Sequence, residues 1–320
     1  MSNPRVLVTG ASGFLGEAVV LRLLMDKQFT PIAAIRGESR LGGLCPVVAL
    51  DLAGPSALPV VEGVEVVVHC AARVHVMDDV SADPLEAFRK INVQGTERLA
   101  RHAAESGVKR FIFISSIKVN GELTWPGAAF CADDSPAPVD PYGISKFEAE
   151  QALGKIGQDT GMEIVIIRPP LIYGPGVKAN FAKMMRWLER GIPLPFGATN
   201  NRRSLVAICN IVHLIKVCIS HPAAAGQVFL VSDGEDLSTS HLLRRMAVAL
   251  CVKPRLLPVP SWILNASAAL IGRADLAQRL CGSLQVDIDK TRDLLGWRPV
   301  ITVEQALRKT AGHHASTRRD

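Results

Sequence analysis

The feature that most constrains the fold is a run of glycines close to the beginning of the chain, in the segment VLVTGASGFLGEAVV. Gly10, Gly13 and Gly16 follow a short apolar stretch and precede a stretch of helical composition. Glycines in a turn between a strand and a helix let the backbone approach a pyrophosphate, and the helix directs its first N–H groups at the anion. Because a strand and a helix are both predicted around them, these glycines indicate a dinucleotide site in a parallel α/β fold.

Short apolar segments rich in valine and isoleucine recur through the first half and have the length of strands buried on both faces. They are Arg5–Thr9, Pro31–Ile35, Pro46–Leu50, Val64–Cys70, Arg110–Ser115 and Glu163–Arg168. Helix-length segments lie between several of them, at Phe14–Met25, Pro84–Glu105 and Pro141–Gln158. This alternation predicts an α/β fold with a Rossmann-type, doubly wound parallel sheet.

The alternation ends after Arg168 in RPPLIYGPG, a loop dense in proline and glycine. We therefore expect residues 1–170 to form a dinucleotide-binding Rossmann domain. Residues 171–320 are expected to form mainly a smaller α/β substrate-binding lobe, with some of their segments returning to the first domain.

The most apolar stretch of the second half is Val259–Gly272. It is shorter than the about 20 residues that a membrane-spanning helix needs, and it contains serine, asparagine and proline. We interpret it as a buried or lid helix, with contact to a membrane surface as the alternative.

The composition is that of a globular protein, with 48% hydrophobic and 21% charged residues. The net charge is +6, but the basic residues are scattered, so we expect no nucleic acid as a partner. Seven cysteines without a Cys-x-x-Cys pair indicate reduced thiols and no metal site. The polar start MSNPRVLVTG is unlike a signal peptide and predicts a cytoplasmic location. The oligomeric state stays open, and a homodimer is compatible with the sequence.

The segment PYGISK constrains the chemistry, since Tyr142 precedes Lys146 by four residues. Residues four apart share one face of a helix, so both side chains reach the same small volume. A free tyrosine has a pKa of about 10, and a nearby ammonium favours the phenolate and lowers that pKa. The pairing predicts a general acid or base, whereas an exposed pair on a helix is the alternative without further context.

The segment FIFISS supplies that context, because this predicted strand ends in Ser115 and Ser116. Ligands of doubly wound sheets bind at the carboxyl ends of strands. The hydroxyl of Ser116 can there hydrogen-bond an oxygen that is being oxidised or formed. We therefore predict that Ser116, Tyr142 and Lys146 share one site, and that Tyr142 and Lys146 also contact the cofactor.

The remaining dinucleotide contacts predicted from the residues lie in the glycine-rich turn and after the second strand. The turn contributes Gly10, Ser12, Gly13, Phe14, Leu15 and Gly16. Arg36 stands where an NAD site has an acidic residue for the ribose hydroxyl, and an arginine can fork onto a 2′-phosphate. NADP(H) is therefore favoured, while NAD(H) stays open because Glu38 is close. A surface arginine beside the adenine is the alternative.

With these motifs in place, the chain resembles the extended short-chain dehydrogenase/reductase family of NAD(P)-dependent nucleotide-sugar epimerases, dehydratases and ketoreductases. The resemblance covers nearly the whole chain and rests on VTGASGFLG, ALDLAG, VVVHCAA, INVQGTERLA, FIFISS, PYGISK, RPPLIYGPG and GWRP. Within that family the chain is most similar to bacterial O-antigen enzymes that reduce or epimerise carbon 4 of UDP-sugars.

The resemblance implies roles for individual residues. It makes Ser116 the catalytic hydroxyl, Tyr142 the acid/base, Lys146 the lysine that holds the cofactor, and Asn92 a helix residue that supports the catalytic site. Further cofactor contacts are implied for Asp51, Leu52, Ala71, Ala72, Pro169 and Ile172.

The second lobe is implied to grip the diphosphate of a nucleotide-sugar. Asn180 and Arg203 match the residues that do so in the family, and a solvent-exposed charge is the alternative for Arg203. Lys118 is assigned to the sugar, with a solvated loop lysine as the alternative.

Some positions depart from the family's pattern. Asn120 stands where the family has the tyrosine of VYG. Ile117 and Lys118 occupy the places where the dehydratases carry an Asp-Glu pair that expels water. Sugar 4,6-dehydration is therefore not expected.

Together the residues and the resemblance imply an oxidoreductase that acts at carbon 4 of a UDP-sugar. The leading hypothesis is reduction of a UDP-4-keto-6-deoxy-N-acetylhexosamine in the synthesis of bacterial surface polysaccharide, such as the O-antigen of lipopolysaccharide. The alternative is a 4-epimerase of UDP-glucose or UDP-N-acetylglucosamine with bound NAD. A non-catalytic, structural or regulatory dinucleotide-binding protein is the hypothesis from another class, and the intact Ser116, Tyr142 and Lys146 argue against it.

Overall fold

The computed structural model describes residues 3–54, 62–74, 83–125, 127–270, 278 and 280–317. The strands are β1 (Arg5–Thr9), β2 (Thr30–Ile35), β3 (Val47–Ala49), β4 (Val64–His69), β5 (Arg110–Ile114), β6 (Glu163–Arg168), β7 (Leu171–Tyr173), β8 (Arg203–Ala207), β9 (Val228–Leu230) and β10 (Asp236–Leu237). The α-helices are α1 (Phe14–Asp26), α2 (Pro84–Arg89), α3 (Thr96–Glu105), α4 (Pro141–Thr160), α5 (Ala179–Glu189), α6 (Ile208–Ser220), α7 (Thr239–Ala249), α8 (Ser261–Leu270), α9 (Asp289–Leu295) and α10 (Val303–Ser316).

Seven strands form a fully parallel sheet in the order β3-β2-β1-β4-β5-β6-β9. The chain winds from β1 toward one edge and then, from β4 on, toward the other. This confirms the predicted Rossmann-type, doubly wound fold, and each predicted strand of the first half begins and ends within one residue of its position in the structure. In such a sheet the ligand crevice lies at the carboxyl ends of β1 and β4, where the direction of winding reverses.

Helices cover both faces of this sheet. On one face α1 and α6 pack against the strands in a buried cluster that includes Val20, Ile112 and Ile215. On the other face α3 and α4 bury Leu99 and Leu153. Burial on both faces explains why the strands are almost uninterrupted runs of valine and isoleucine.

A smaller three-stranded sheet, in the order β10-β8-β7, belongs to the second half of the chain. Together with α5, α7 and α10 it encloses a separate apolar cluster that contains Tyr173, Leu205 and Leu243. Segments of the second half return to the large sheet. Among them are α6, which packs on its face, and β9, which pairs with β6 and forms its edge.

The predicted helix Pro84–Glu105 contains a change of winding in the structure. Between α2 and α3 the chain forms a π-helical stretch from Lys90 to Gly95, which includes the buried Asn92. Such stretches insert an extra residue per turn and are frequent at functional sites.

The interpretation of Val259–Gly272 as a buried helix is wrong for the part that the structure describes, whereas its interpretation as a lid helix stays a prediction. α8 lies on the surface, with Trp262 71% exposed and Leu270 89% exposed. Residues 271 and 272 lie outside the described residues.

Candidate active site

The glycine-rich turn is shaped by close backbone approaches. Gly10 has a φ of +63° and lies against Ala71, where a Cβ atom would come within 2.8 Å of the Ala71 nitrogen. A Cβ atom on Gly16 would come within 2.2 Å of the Gly10 carbonyl oxygen, so this glycine lets α1 pack directly on the turn. These contacts leave no room for a side chain at Gly10 or at Gly16.

The N-terminus of α1 is a suitable place for an anion. Its N-cap residue, Gly13, provides no side-chain hydrogen bond to the first N–H groups of the helix. A Cβ atom there would meet only the Gly10 oxygen within 4 Å, at 3.1 Å. Exposed Ser12 and partly buried Phe14 and Leu15 border this opening. The turn therefore fits a pyrophosphate bound by backbone N–H groups.

Two loops lie where the sequence predicts the adenosine. Arg36 is exposed directly after β2. The loop after β3 contains exposed Asp51 and buried Leu52. Arg98 of α3 holds this loop, since its guanidinium donates to the carbonyl oxygens of Leu52, at 3.1 Å, and Gly54, at 2.7 Å.

The segment after β4 is fixed by a buried histidine. The hydroxyl of Thr9 accepts a hydrogen bond from the Ala71 nitrogen at 3.2 Å and therefore donates its proton to Nδ1 of His69 at 2.7 Å. Nε2 of His69 then donates to the Thr96 hydroxyl at 3.0 Å. Burial lowers the pKa of His69 to about 3, so it stays neutral. This chain of bonds positions Ala71 and Ala72 beside the turn at Gly10.

Tyr142 stands in the first turn of α4, which Asp140 caps by accepting a hydrogen bond from the Gly143 nitrogen at 2.7 Å. A Cβ atom on Gly143 would come within 2.9 Å of the Lys118 carbonyl oxygen. The missing side chain thus lets the turn after β5 approach α4 closely. As a result Ser116 lies beside Tyr142, and its hydroxyl acts to lower the pKa of the Tyr142 phenol.

Lys146 follows one turn later and is almost completely buried. Its Nζ donates to the Ile114 carbonyl oxygen at 2.8 Å and lies 4.3 Å from the centre of the Phe113 ring. Burial lowers the pKa of Lys146 to about 7, although the charge of Glu150 opposes this shift. The ammonium is therefore easily neutralised.

The expectation that Lys146 lowers the pKa of Tyr142 is wrong for these residues by themselves. Burial raises the pKa of Tyr142, the charge of Asp140 raises it further, and only the hydroxyl of Ser116 lowers it. The spacing identified two side chains on one helical face, but it did not show that the lysine would be too deeply buried to hold its charge.

Asn92 supports this arrangement from the π-helical stretch. Its side-chain oxygen accepts from the Arg73 nitrogen at 2.8 Å, and its nitrogen donates to the Arg73 carbonyl oxygen and the Ser145 hydroxyl, each at 3.0 Å. The Ser145 hydroxyl in turn donates to the Tyr142 carbonyl oxygen at 2.8 Å. Asn92 therefore ties α4 to the loop after β4.

A buried ion pair lies behind Ser115 and Ser116, and the sequence analysis did not identify it. Glu150 accepts two hydrogen bonds from Arg168, at 3.0 and 2.6 Å, and a third from the Ser115 hydroxyl. Arg168 also donates to the side-chain oxygen of Asn120 at 3.0 Å, and Asn120 donates to the Cys131 carbonyl oxygen at 2.9 Å. The asparagine in the place of the family's tyrosine thus completes a buried polar network. The sequence contains one indication of this network, because Glu150 follows Lys146 by four residues and so lies on the same face of the helix.

Lys118, which we assigned to the sugar, is engaged in two ion pairs. Its Nζ lies 2.9 Å from a carboxylate oxygen of Glu122 and also bonds the carboxylate of Asp140. The carboxylate of Asp140, which raises the pKa of Tyr142, is therefore itself paired with the ammonium of Lys118.

Pro169 is adjacent to the turn after β5, because its carbonyl oxygen accepts a hydrogen bond from the Ile117 nitrogen at 3.0 Å. Ile172 follows in β7 and is partly buried. The predicted cofactor and catalytic residues therefore lie together at the carboxyl ends of β1, β2, β3, β4, β5 and β6.

The predicted diphosphate ligands belong to elements of the second half of the chain. Arg203 opens β8, and its Nη1 donates to the Gly282 carbonyl oxygen at 3.1 Å. Burial lowers the pKa of Arg203, and none of the described carboxylates pairs with it. Asn180 lies in the first turn of α5. Within the described residues no hydrogen bond links either side chain to Tyr142.

Comparison with known proteins places this site in a family. Residues 6–232 match the NAD dependent epimerase/dehydratase family. The chain belongs to this family. It is thus an enzyme of the NAD-dependent epimerase/dehydratase type, as the glycine-rich turn and the PYGISK segment had indicated.

Two curated relatives of this epimerase/dehydratase are similar over most of their length. A UDP-glucose 4-epimerase of Vibrio cholerae is 50% identical over 309 residues, covering 96% of this chain and 94% of that protein. An N-acetyl-alpha-D-glucosaminyl-diphospho-ditrans,octacis-undecaprenol 4-epimerase of Escherichia coli O157:H7 is 29% identical over 280 residues, covering 84% and 78%.

Solved structures share the fold of this family member at lower identity. The UDP-glucuronic acid 4-epimerase of Bacillus cereus in complex with NAD has a TM-score of 0.78 at 19% identity and covers 98% of this chain and 99% of that one. The UDP-glucose 4-epimerase of Thermotoga maritima with UDP-glucose has a TM-score of 0.75 at 22% identity and covers 98% and 99%.

Proposed function

We propose that the protein is an NAD-dependent 4-epimerase of a UDP-hexose. The observation that carries the proposal is that Ser116 lies beside Tyr142 at the carboxyl ends of the parallel strands, with no acid in the two positions after Ser116. This set of groups supports proton and hydride exchange at a hydroxyl-bearing carbon but not the loss of water. The relative from Vibrio cholerae, which is 50% identical and bears the name UDP-glucose 4-epimerase, supports the same activity.

The catalytic residues would act in turn on the oxygen at carbon 4. Ser116 would hydrogen-bond that oxygen, and Tyr142 would accept its proton as a phenolate while carbon 4 becomes a ketone. Burial raises the pKa of Tyr142, and the positive charge of the oxidised nicotinamide in bound NAD would act against that shift and favour the phenolate. NAD, when bound, would supply the group that accepts the hydride from carbon 4 and returns it. Once the keto sugar has rotated in the site, the hydride would return to the opposite face of carbon 4, and Tyr142 would return the proton to the oxygen, so that the hydroxyl is inverted. Atoms and electrons balance within one cycle, so no added reductant is consumed.

The residues present fit a dinucleotide. We propose that the turn from Gly10 to Gly16 holds the pyrophosphate, that Asp51 and Leu52 flank the adenine, and that Lys146 holds the nicotinamide ribose. Ala71, Ala72, Pro169 and Ile172 would line the same crevice. Asn92 would keep α4 in place beneath it.

We propose that residues 171–320 provide most of the sugar-nucleotide site. Arg203 supports this role because its half-buried guanidinium has a carbonyl partner and no carboxylate partner among the described residues, which suits a diphosphate. Asn180 and Lys118 are proposed as further contacts. The relative from Escherichia coli O157:H7, named for a sugar on an undecaprenol diphosphate, supports a place for the chain in surface-polysaccharide synthesis.

A second candidate is the net reduction of a UDP-4-keto-6-deoxy-N-acetylhexosamine with NADPH. Arg36 favours it, because an exposed arginine directly after β2 can fork onto a 2′-phosphate. An enzyme that recycles one bound nicotinamide has no need of the phosphorylated cofactor, whereas a reductase must exchange its cofactor at every turnover.

One experiment separates the two candidates. The purified protein is incubated with UDP-glucose, and separately with UDP-N-acetylglucosamine, without a reductant and with catalytic NAD, and the products are identified by NMR. We expect the 4-epimer to appear, and to be absent with the Tyr142→Phe variant. If neither sugar is inverted and a UDP-4-keto-6-deoxy-N-acetylhexosamine instead oxidises NADPH in equal amount, the reductase is the correct assignment.

A further inference from the structure

The exposed face of α8 is a continuous apolar stripe. Trp262, Ala266, Ala269 and Leu270 stand at positions i, i+4, i+7 and i+8, which share one side of a helix, and Ile263 lies next to them. All five are exposed, with Trp262 at 71% and Leu270 at 89%. A helix of a soluble domain normally turns this side toward its own core. Its outward orientation indicates that something else covers it.

The chain just before α8 presents basic residues beside the stripe. It runs alongside the segment after α5, since the Leu194 nitrogen donates to the Arg255 carbonyl oxygen and the Leu257 nitrogen donates to the Leu194 carbonyl oxygen, both at 2.8 Å. Leu194 points inward, while Lys253 and Arg255 are exposed and Leu257 is 49% exposed. Exposed basic side chains and an exposed apolar side chain therefore follow one another along this strip.

The end of α5 adds charge of the same sign. Arg186 and Arg190 are exposed there, close to Ile192, which is 38% exposed. The single acid of α5, Glu189, pairs with His314 at 3.1 Å. None of the described carboxylates pairs with Arg186 or Arg190, and residues 251–270 contain no acid at all.

We propose that this α8 surface, formed by Lys253, Arg255, Leu257, Trp262, Ile263 and Leu270, docks on the face of an anionic phospholipid bilayer. The apolar stripe would enter the boundary between headgroups and acyl chains, with the tryptophan at the interface and the basic side chains on the phosphates. The proposal rests on the exposed apolar and basic side chains of the α8 surface and not on the proposed function.

The charge pattern favours a bilayer over a second copy of this chain. A twofold contact through the α8 surface would place the same basic residues of both copies face to face, and no acid of this surface would pair with them. Insertion across a bilayer is not the expected mode. α8 has ten residues, and no helix in the described part of the chain has the length and apolar character for crossing a membrane.

Co-sedimentation with vesicles tests the proposal. The full chain is mixed with vesicles of phosphatidylglycerol and phosphatidylcholine, and separately with vesicles of phosphatidylcholine alone. We expect binding to the anionic vesicles that weakens as salt is added. The Trp262→Ser/Leu270→Ser double variant should bind at least about tenfold more weakly, because the apolar area that enters the interface is lost. Met25→Ser, which removes a side chain that is 75% exposed on α1, is the matched control and should bind like the wild type.

A charge variant tests the other half of the argument. Lys253→Glu/Arg255→Glu should weaken binding to anionic vesicles, whereas the exposed Lys155→Glu on α4 should have a smaller effect. Circular dichroism and retained dinucleotide binding confirm that each variant is folded. The proposal fails if the wild type does not sediment with anionic vesicles, or if the α8 variants bind as tightly as Met25→Ser. It also fails if light scattering shows a dimer that Trp262→Ser/Leu270→Ser converts to a monomer while vesicle binding is unchanged.

Discussion

Replacing Lys146 with methionine should stabilise the fold while abolishing function. The side chain is almost completely buried, and the pKa of Lys146 falls from 10.5 to about 7 because burial disfavours its charge. A native state with a lowered lysine pKa binds fewer protons than the unfolded chain between about pH 7 and pH 10.5. The penalty on stability is therefore complete below about pH 7 and disappears as the pH rises toward 10.5.

The size of the penalty follows from the shift. One pKa unit corresponds to about 1.4 kcal/mol, so the shift costs about 5 kcal/mol at low pH, about 4 kcal/mol at pH 7 and about 2 kcal/mol at pH 9. Methionine has a similar length and no charge, but it leaves the Ile114 carbonyl oxygen without its partner, at a cost of about 1 kcal/mol. We expect Lys146→Met to be more stable than the wild type by about 2–4 kcal/mol at pH 7, with the difference shrinking by about 2 kcal/mol at pH 9.

Urea unfolding at several pH values, followed by far-ultraviolet circular dichroism, measures this difference. The control is Lys155→Met, which removes an exposed lysine from the same helix and should run parallel to the wild type at every pH. The reasoning is refuted if the free energies of unfolding of Lys146→Met and wild type differ by a constant amount from pH 7 to pH 9. That result would mean that Lys146 keeps its ordinary pKa in the folded chain.

Tyr142→Phe should leave cofactor affinity unchanged and lower turnover by about 10²–10⁴-fold, as expected for a lost general acid or base. A variant with more than half the wild-type turnover would contradict the assignment. Arg36→Asp should weaken NADPH binding far more than NADH binding in fluorescence titrations, whereas equal effects would make this arginine a bystander. Gly143→Ala should lower turnover and leave the cofactor dissociation constant unchanged. A Cβ atom there would lie 2.9 Å from the Lys118 carbonyl oxygen and would push the turn after β5, which contains Ser116, away from α4. Gly154→Ala, on the same helix with no heavy atom within 4 Å of the added Cβ atom, is its control and should match the wild type in turnover.

The central sheet was predictable because its strands are buried on both faces. Continuous runs of valine and isoleucine follow from that burial. Gly10 and Gly16 mark the turn that joins β1 to α1. The edge strand Val228–Leu230 carries a weaker signal, since three residues have no visible period and the pairing partner ends at Arg168, far back in the sequence. Pairing between distant segments depends on the packing of the whole domain.

The candidate catalytic residues were predictable from spacing, but their electrostatics were not. A lysine four residues after Tyr142 looks the same in sequence whether it is solvated or buried, and only the structure shows Lys146 under Phe113 with a lowered pKa. In the same way, Glu150 resembles a surface partner of Lys146, whereas it forms a buried ion pair with Arg168. Burial of a charge depends on tertiary neighbours that no local pattern records.

The return of β9 to the large sheet has a consequence for synthesis of the chain. β6 ends at Arg168 and β9 begins at Val228, so the sheet keeps an open edge while the 59 residues between them are made. At about 5–20 residues per second this lasts roughly 3–12 s. During that time the backbone N–H and C=O groups of Glu163–Arg168 present a ready template for pairing with another strand. Until its own seventh strand arrives, this edge is therefore a place where the nascent chain is open to pairing with another chain.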